Sequence, residues 1–208
     1  MGESDTRITQ DFWNARYDTP DYIFGTAPSA FLRDYAGLIP PRSNIFLPAD
    51  GEGRNGVYLA QLGHQVAAVD YAENGVEKAR RLAAEAGVTL DMRQANLKGY
   101  DWPEAAYDAI AAIFIQFAPP DFRAEILAGM KRAVKPGGLI LLHGYTPKQL
   151  EYGTGGPSEV DKLYTEDMLR DAFADMDVLT LKAYEAELDE GPAHRGRSAL
   201  IDLIARRP

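Results

Sequence analysis

The stretch from Ile45 to Asp70 constrains this chain more than any other. Ile45-Phe46-Leu47 is an apolar run that leads into Pro48-Ala49-Asp50-Gly51-Glu52-Gly53-Arg54-Asn55-Gly56. A helical run from Asn55 to Leu62 follows, closed by Gly63, and then Gln65–Val69 ends at the carboxylate Asp70. A strand, a glycine-rich turn, a helix and a second strand with a terminal acid form a unit suited to nucleotide-like ligands. Gly51 and Gly53 allow a tight turn and let a ligand approach where a Cβ would clash. The helix N-terminus offers free N–H groups. Asp70 stands where a carboxylate can accept hydrogen bonds from ribose hydroxyls.

The rest of the chain repeats the alternation. Glu73–Ala86 places Val76, Ala79, Leu82, Ala83 and Ala86 on one helical face, with Gly87 as its stop. Val88–Arg93 reads as a third strand. Asp108–Ile115 is nearly all apolar, as a strand buried on both faces should be. Pro119-Pro120-Asp121 opens a helix that ends near Val134. Lys135-Pro136-Gly137-Gly138 is a turn into strand five, Leu139–His143. Thr165 caps a further helix with Glu166 and Asp167 in its first turn. The alternation then stops: Asp177–Leu188 and Ser198–Arg206 are consecutive strand-like runs. This order predicts an α/β fold, a doubly wound, seven-stranded and mostly parallel sheet with a C-terminal antiparallel hairpin. Residues 1–208 read as one domain. Residues 1–40 form an aromatic, punctuated helical cap from about residue 7 to 38, and 41–208 form the core.

Composition narrows the partners. The net charge of −9 leaves no basic footprint for nucleic acid. No apolar run approaches the ~20 residues of a membrane span. The chain has no cysteine, which excludes thiolate chemistry and cysteine metal sites and fits a reducing compartment. Met1-Gly-Glu-Ser-Asp lacks the basic and apolar segments of a signal peptide. The expectation is a soluble cytoplasmic protein acting on a small molecule. The three histidines lie far apart in sequence, so no metal site is expected. Nothing in the sequence sets the oligomeric state.

Gly51-x-Gly53-x-x-Gly56 matches the dinucleotide fingerprint, and Asp70 follows Gly53 by 17 residues. A nicotinamide cofactor fits the rest poorly, because little chain remains for a substrate domain and the order ends in a hairpin. Asp50–Asn55, Ala67–Asp70, Gln94–Leu97 and Val134–Gly138 together resemble class I S-adenosylmethionine-dependent methyltransferases over nearly the whole chain. Phe12-Trp13-x-x-Arg16-Tyr17, Phe24-Gly25-Thr26-x-Pro28, Gly53-Arg54-Asn55 and Tyr152–Gly156 resemble the bacterial tellurite-resistance and thiopurine-methyltransferase-like branch.

The resemblance implies S-adenosylmethionine as cofactor and a division of labour around it. Gly51 and Gly53 would pass close to its methionine portion, and Asp70 would bind the ribose with Tyr71 beside the adenine. Asn96 and Leu97 would border the adenine, Asn96 accepting through its carbonyl where many relatives carry Asp. Ile113 and Phe114 would flank the methionine side. Trp13 and Tyr17 would cover the cofactor, whereas Phe12 and Phe24 read as core. The chain departs from the family at the first loop. Leucine stands at 47 where relatives carry an acid, Ala49 replaces the first glycine, and Pro48 removes a backbone donor. Asp50 is a new carboxylate that can meet the cofactor's ammonium.

Three residues compete for a catalytic role. His143, at the end of strand five, is a candidate base or a hydrogen-bonded wall residue. Gln116 is a candidate for orienting the nucleophile or a mere strand end. His194, beside Arg195 and Arg197, is either in a solvated loop or a cation facing an anionic group. Methyl transfer requires in-line placement and exclusion of water more than a catalytic constellation. The expected reaction is methyl transfer to a small sulfur, nitrogen or chalcogen nucleophile, in a pocket closed by the cap and a lid at Tyr145–Pro157 carrying Gly153, Gly155 and Gly156. The altered Leu47–Asp50 segment keeps a second reading open, a non-catalytic methyltransferase fold that senses cofactor or binds protein.

Overall fold

The computed structural model describes residues 9–208. Seven strands form one sheet: β1 (Asn44–Pro48), β2 (Gln65–Asp70), β3 (Asp91–Gln94), β4 (Tyr107–Ile113), β5 (Val134–Tyr145), β6 (Asp177–Asp189) and β7 (Arg195–Arg206). Their spatial order is β3-β2-β1-β4-β5-β7-β6. Strands β1 to β5 run parallel, and only β7 runs antiparallel to its neighbours β5 and β6. The strand order leaves β1 in one direction and resumes at β4 in the other. The carboxyl ends of β1 and β4 therefore border the crevice where ligands bind in such sheets.

Period-two alternation sends neighbouring residues of each strand to opposite faces. Ile45 and Leu47 pack with Leu59, Val76 and Ala79 on one face. Phe46 packs with Ile126, Met130 and Leu169 on the other. Helices α2 (Ala30–Tyr35), α3 (Arg54–Gln61) and α4 (Glu73–Glu85) supply residues to the first layer, and α5 (Pro120–Ala133) and α6 (Glu166–Ala172) to the second. Each large apolar side chain buried this way contributes about 1.5–3 kcal/mol before entropy is counted. Thr165 caps α6 by accepting from the Met168 amide, as its sequence position predicts.

Three local expectations change. The cap is less helical than its sequence suggests: α1 (Gln10–Tyr17) and α2 are separated by irregular chain, and residues 7 and 8 lie outside the described residues. Val88 is not part of β3. Its amide donates to the Ala83 carbonyl, and with Gly87 at φ +67° it finishes the end of α4. Lys135–Gly138 lies within β5 as an irregularity, where the register slips between Tyr107↔Val134 and Ala109↔Leu139. Lys135 Nζ holds Asp108 Oδ1 at 2.7 Å across that slip. No helix among the described residues is long and apolar enough to cross a membrane.

Candidate cofactor and acceptor site

The loop after β1 is built around two buried carboxylates. Asp70 Oδ2 accepts from the Gly51 amide at 2.8 Å, and its Oδ1 accepts from Ala72 at 2.9 Å. Asp50 Oδ2 accepts from the Gly56 amide at 3.0 Å. The chain reaches this geometry with Ala49 at φ +52°, a left-handed conformation that costs a non-glycine residue about 1–2 kcal/mol. Ala49 thus adopts the left-handed backbone of this turn despite its Cβ. Burial raises Asp70 to about 6, against the opposing bonds from Ala72, Gly51 and Tyr71. Burial, with the nearby Asp70 charge, raises Asp50 to about 8.

Gly51 and Gly53 do different jobs. A Cβ on Gly51 would lie 2.7 Å from the Tyr17 hydroxyl, so its absence keeps the cavity floor open beneath α1. Gly53 does not line the cavity. Its φ is +86°, and a Cβ there would lie 2.8 Å from Ala79 Cα, so it permits α3 to pack against α4. The expected contact of Gly53 with the methionine portion is therefore corrected to a packing role.

Trp13 and Tyr17 form the roof, stacked with centroids 5.7 Å apart. Phe24 meets Tyr17 edge-on at 6.3 Å. Phe12 and Phe24, read from the sequence as core, are only partly buried and line the same cavity. The roof is held by buried polar side chains of the glycine loop. Glu52 accepts from the Ile23 and Phe24 amides, each at 3.2 Å, and pairs with Lys78 Nζ at 2.8 Å. Arg54 pairs with Glu190 at 2.8 Å, and Asn55 Oδ1 accepts from Ser29 at 2.9 Å. The segment between α1 and α2 is thereby strapped to the loop and to the β6–β7 connection.

The far wall turns on Phe114, which follows β4 at φ +56° and donates its amide to the His143 carbonyl. Non-glycine strain of this kind concentrates at functional sites. It aims the ring at His194 (4.3 Å), Tyr145 (4.7 Å) and His143 (4.6 Å). His194 is not in a solvated loop. It is 7% exposed, and burial together with the charges of Arg54, His143 and Arg16 lowers it to about 3. The imidazole is neutral, which corrects the cationic expectation. Arg195 and Arg197 pair instead with Asp189 and Glu185 on an exposed surface.

His143 also moves out of the catalytic set. It is absent from the cavity wall, stacks on Phe31 at 4.8 Å, and binds Asp202 Oδ1 through Nδ1 at 2.7 Å. Gln116 does line the cavity, but its Nε2 donates to the Tyr145 and Lys162 carbonyls and its Oε1 accepts from the Tyr145 amide. Its amide fastens the end of β5 to the following loop.

Tyr71, Asn96, Leu97 and Ile113 also line the cavity, together with Phe117 and Phe122. Asn96 Oδ1 already accepts from the Lys98 amide at 2.9 Å, so the side chain shapes its own turn as well as the wall. Gly155, Gly156 and Pro157 close the cavity from the loop after β5, whereas Gly153 stands outside it. The cavity measures about 210 Å³. Tyr145, read from the sequence as the start of the lid, ends β5 and lines the wall. No group of metal-ligating side chains gathers among the described residues.

This strand order, with a glycine loop after β1, an acid ending β2 and a crevice between β1 and β4, defines the class I methyltransferase fold. Residues 49–138 match the family described as "Methyltransferase domain". The crystal structure of TehB from Haemophilus influenzae superposes with a TM-score of 0.71 at 20% identity, covering 96% of this chain and 67% of that one. The S-adenosyl-L-methionine-dependent Diels–Alderase iccD of Talaromyces variabilis is 35% identical over 111 residues, 50% of this chain. The ubiquinone biosynthesis O-methyltransferase of Methylocella silvestris is 34% identical over 86 residues, 39% of this chain. The matched segments span 37% and 32% of those two relatives. The chain has the class I methyltransferase fold, and TehB is among its structural relatives.

Proposed function

We propose that this protein binds S-adenosylmethionine in the crevice between β1 and β4 and transfers its methyl group to a small molecule. The observation that carries the reading is one continuous cavity. It runs from Asn96 and Tyr71, past Asp70 and Gly51, to an aromatic chamber at Phe114 and His194.

The residues present fit that cofactor. The carboxylate of Asp70 keeps acceptor capacity beyond its backbone bonds, enough for ribose hydroxyls. Tyr71, Leu97 and Phe122 offer apolar faces for an adenine. Asp50 replaces the acid missing at 47 as the partner for an ammonium group, whose charge favours its ionised form. When bound, the cofactor supplies a methyl group already activated at a sulfonium. The chain's own residues then hold the acceptor in line and exclude water, the roof of Trp13, Tyr17 and Phe24 closing over both.

The chamber is closed on the acceptor side by Phe24, Phe114, Tyr145 and the Gly155–Pro157 loop, which favours a small acceptor; sulfur, nitrogen and chalcogen nucleophiles are the classes to screen. Calorimetric titration with S-adenosylmethionine and S-adenosylhomocysteine tests the reading. Micromolar binding that weakens at least tenfold in a folded Asp70→Asn variant is the expected result. No binding to folded wild type overturns it and returns the non-catalytic reading. One relative is named for a Diels–Alder reaction, so incubation with acceptors should also score formation of S-adenosylhomocysteine.

A further inference from the structure

Phe114 touches three polar rings, and they are not anchored alike. Its ring lies 4.7 Å from Tyr145 and 4.3 Å from His194. The Tyr145 hydroxyl and His194 Nδ1 are buried without a hydrogen-bond partner, so neither atom fixes its ring. The third ring, His143, meets Phe114 edge-on at 4.6 Å and is held on two sides. Its Nδ1 bonds Asp202 Oδ1 at 2.7 Å, and its face stacks on Phe31 at 4.8 Å with the planes 11° apart. The His143 carbonyl also accepts from the Phe114 amide at 2.8 Å.

Strand register sets the partner of His143. His143 of β5 and Lys182 of β6 both stand opposite Asp202 of β7. Residues opposite one another on neighbouring strands share a face of the sheet. The three form one polar row, with Phe31 and Tyr35 of α2 lying against its two ends. Asp202 Oδ1 also accepts from the Tyr184 hydroxyl at 3.2 Å, and its Oδ2 lies 3.4 Å from Lys182 Nζ. The His143 and Asp202 side chains are each 1% exposed. A buried pair of this kind adds little to stability, because desolvation offsets the attraction. It supplies direction instead. Asp202 is the acceptor for its neighbours, so His143 Nδ1 carries the proton of their bond and the imidazole cannot turn over.

The residue supported in this way is strained. Phe114 holds φ +56°, which a bulky side chain keeps only where its surroundings over-determine it. It lines the cavity beside Ile113. We propose that Asp202 and His143 are positioning residues for Phe114, and through its ring for the cofactor, a reading that rests on the methyltransferase function proposed above. Asp202 fixes the His143 ring. His143 holds Phe114 at both its amide and its ring, and Phe114 shapes the wall that the cofactor meets. Both residues act from behind that wall, since neither lines the cavity.

Ring 15N spectra, hydrogen exchange and calorimetry test the proposal together. The chain has three histidines, so His143→Phe assigns the His143 signals in histidine-labelled protein. Wild type should show His143 protonated at Nδ1, and protonation at Nε2 alone overturns the proposal. The double variant His143→Phe with Asp202→Leu removes the pair without stranding a buried charge, and it should melt close to wild type. Its Phe114 amide should exchange about tenfold faster. It should bind S-adenosylhomocysteine about tenfold more weakly. Asp202→Asn keeps an acceptor for Nδ1 and should recover most of both losses. A purely structural role would move melting temperature along with affinity and would not be rescued by asparagine. Unchanged Phe114 exchange in the double variant, or an Asp202→Asn variant that loses as much, overturns the proposal. Should the double variant not fold, tenfold losses in Asp202→Asn overturn it alone. The ring signals and the Phe114 amide are read without ligand. Absence of S-adenosylhomocysteine binding by wild type therefore overturns the methyltransferase reading separately.

Discussion

Glu52 and Lys78 form an ion pair at 2.8 Å with side chains only 1% and 6% exposed, and the same carboxylate receives the Ile23 and Phe24 amides. A residue of the glycine loop therefore holds the roof of the site as well as its floor. Lys78→Met leaves the Glu52 charge buried and unpaired, a change that costs about 3–5 kcal/mol. Hydrogen exchange should show the Ile23 and Phe24 amides losing protection first, with weaker S-adenosylhomocysteine binding. Unchanged protection at those amides would mean the strap is held elsewhere.

Asp50 makes stability fall as pH rises. Its folded pKa of about 8 lies above the usual carboxylate value of 3.8, so the native state holds a proton that the unfolded chain releases. Stability is fully present below about pH 4 and is lost as pH climbs through about 8. Asp50→Asn, which keeps an oxygen for the Gly56 amide, should match wild type at pH 4. At pH 8, where the Asp50 proton is being lost, it should melt clearly higher than wild type. Melting curves that stay parallel across this range would contradict a buried, proton-holding Asp50.

Tyr145→Phe should stabilise the empty protein. Removing an unpartnered buried hydroxyl gains about 1 kcal/mol, or about 2–4 °C in melting temperature for a chain of this size. Differential scanning calorimetry measures it directly. A loss of stability would show that the hydroxyl has a structural partner.

The glycines of the first loop should separate by mechanism. Gly53→Ala meets both a positive φ and the backbone of Ala79 and should cost about 3 kcal/mol or more. Gly63→Ala has a similar φ of +88° but nothing within 4 Å, and should cost only about 1–2 kcal/mol. Denaturant unfolding compares the two. Equal losses would mean that φ strain alone decides both positions.

The α/β order, the terminal hairpin and many of the cavity-lining residues were legible because they depend on local rules. Apolar runs, glycine at turns and an acid at a strand end need only a few neighbours to be read. Leu47, Pro48 and Ala49 looked like a threat to the loop, yet Ala49 adopts the left-handed backbone that the turn demands. Gly53 was misread because its constraint comes from Ala79, on another helix.

The sequence by itself determined the layered sheet, the strand-end carboxylate and the aromatic cap, since periodicity and turn chemistry act over a few residues. Only the tertiary structure decided which polar groups are satisfied. Pairing Arg54 with Glu190 across 136 positions, withdrawing His143 onto Asp202 and burying His194 beside Tyr145 are long-range events. Whether a histidine is a cation, a structural link or an open acceptor depends on the solvent and partners left to it. Those exist only once β6 and β7 have closed against the cap.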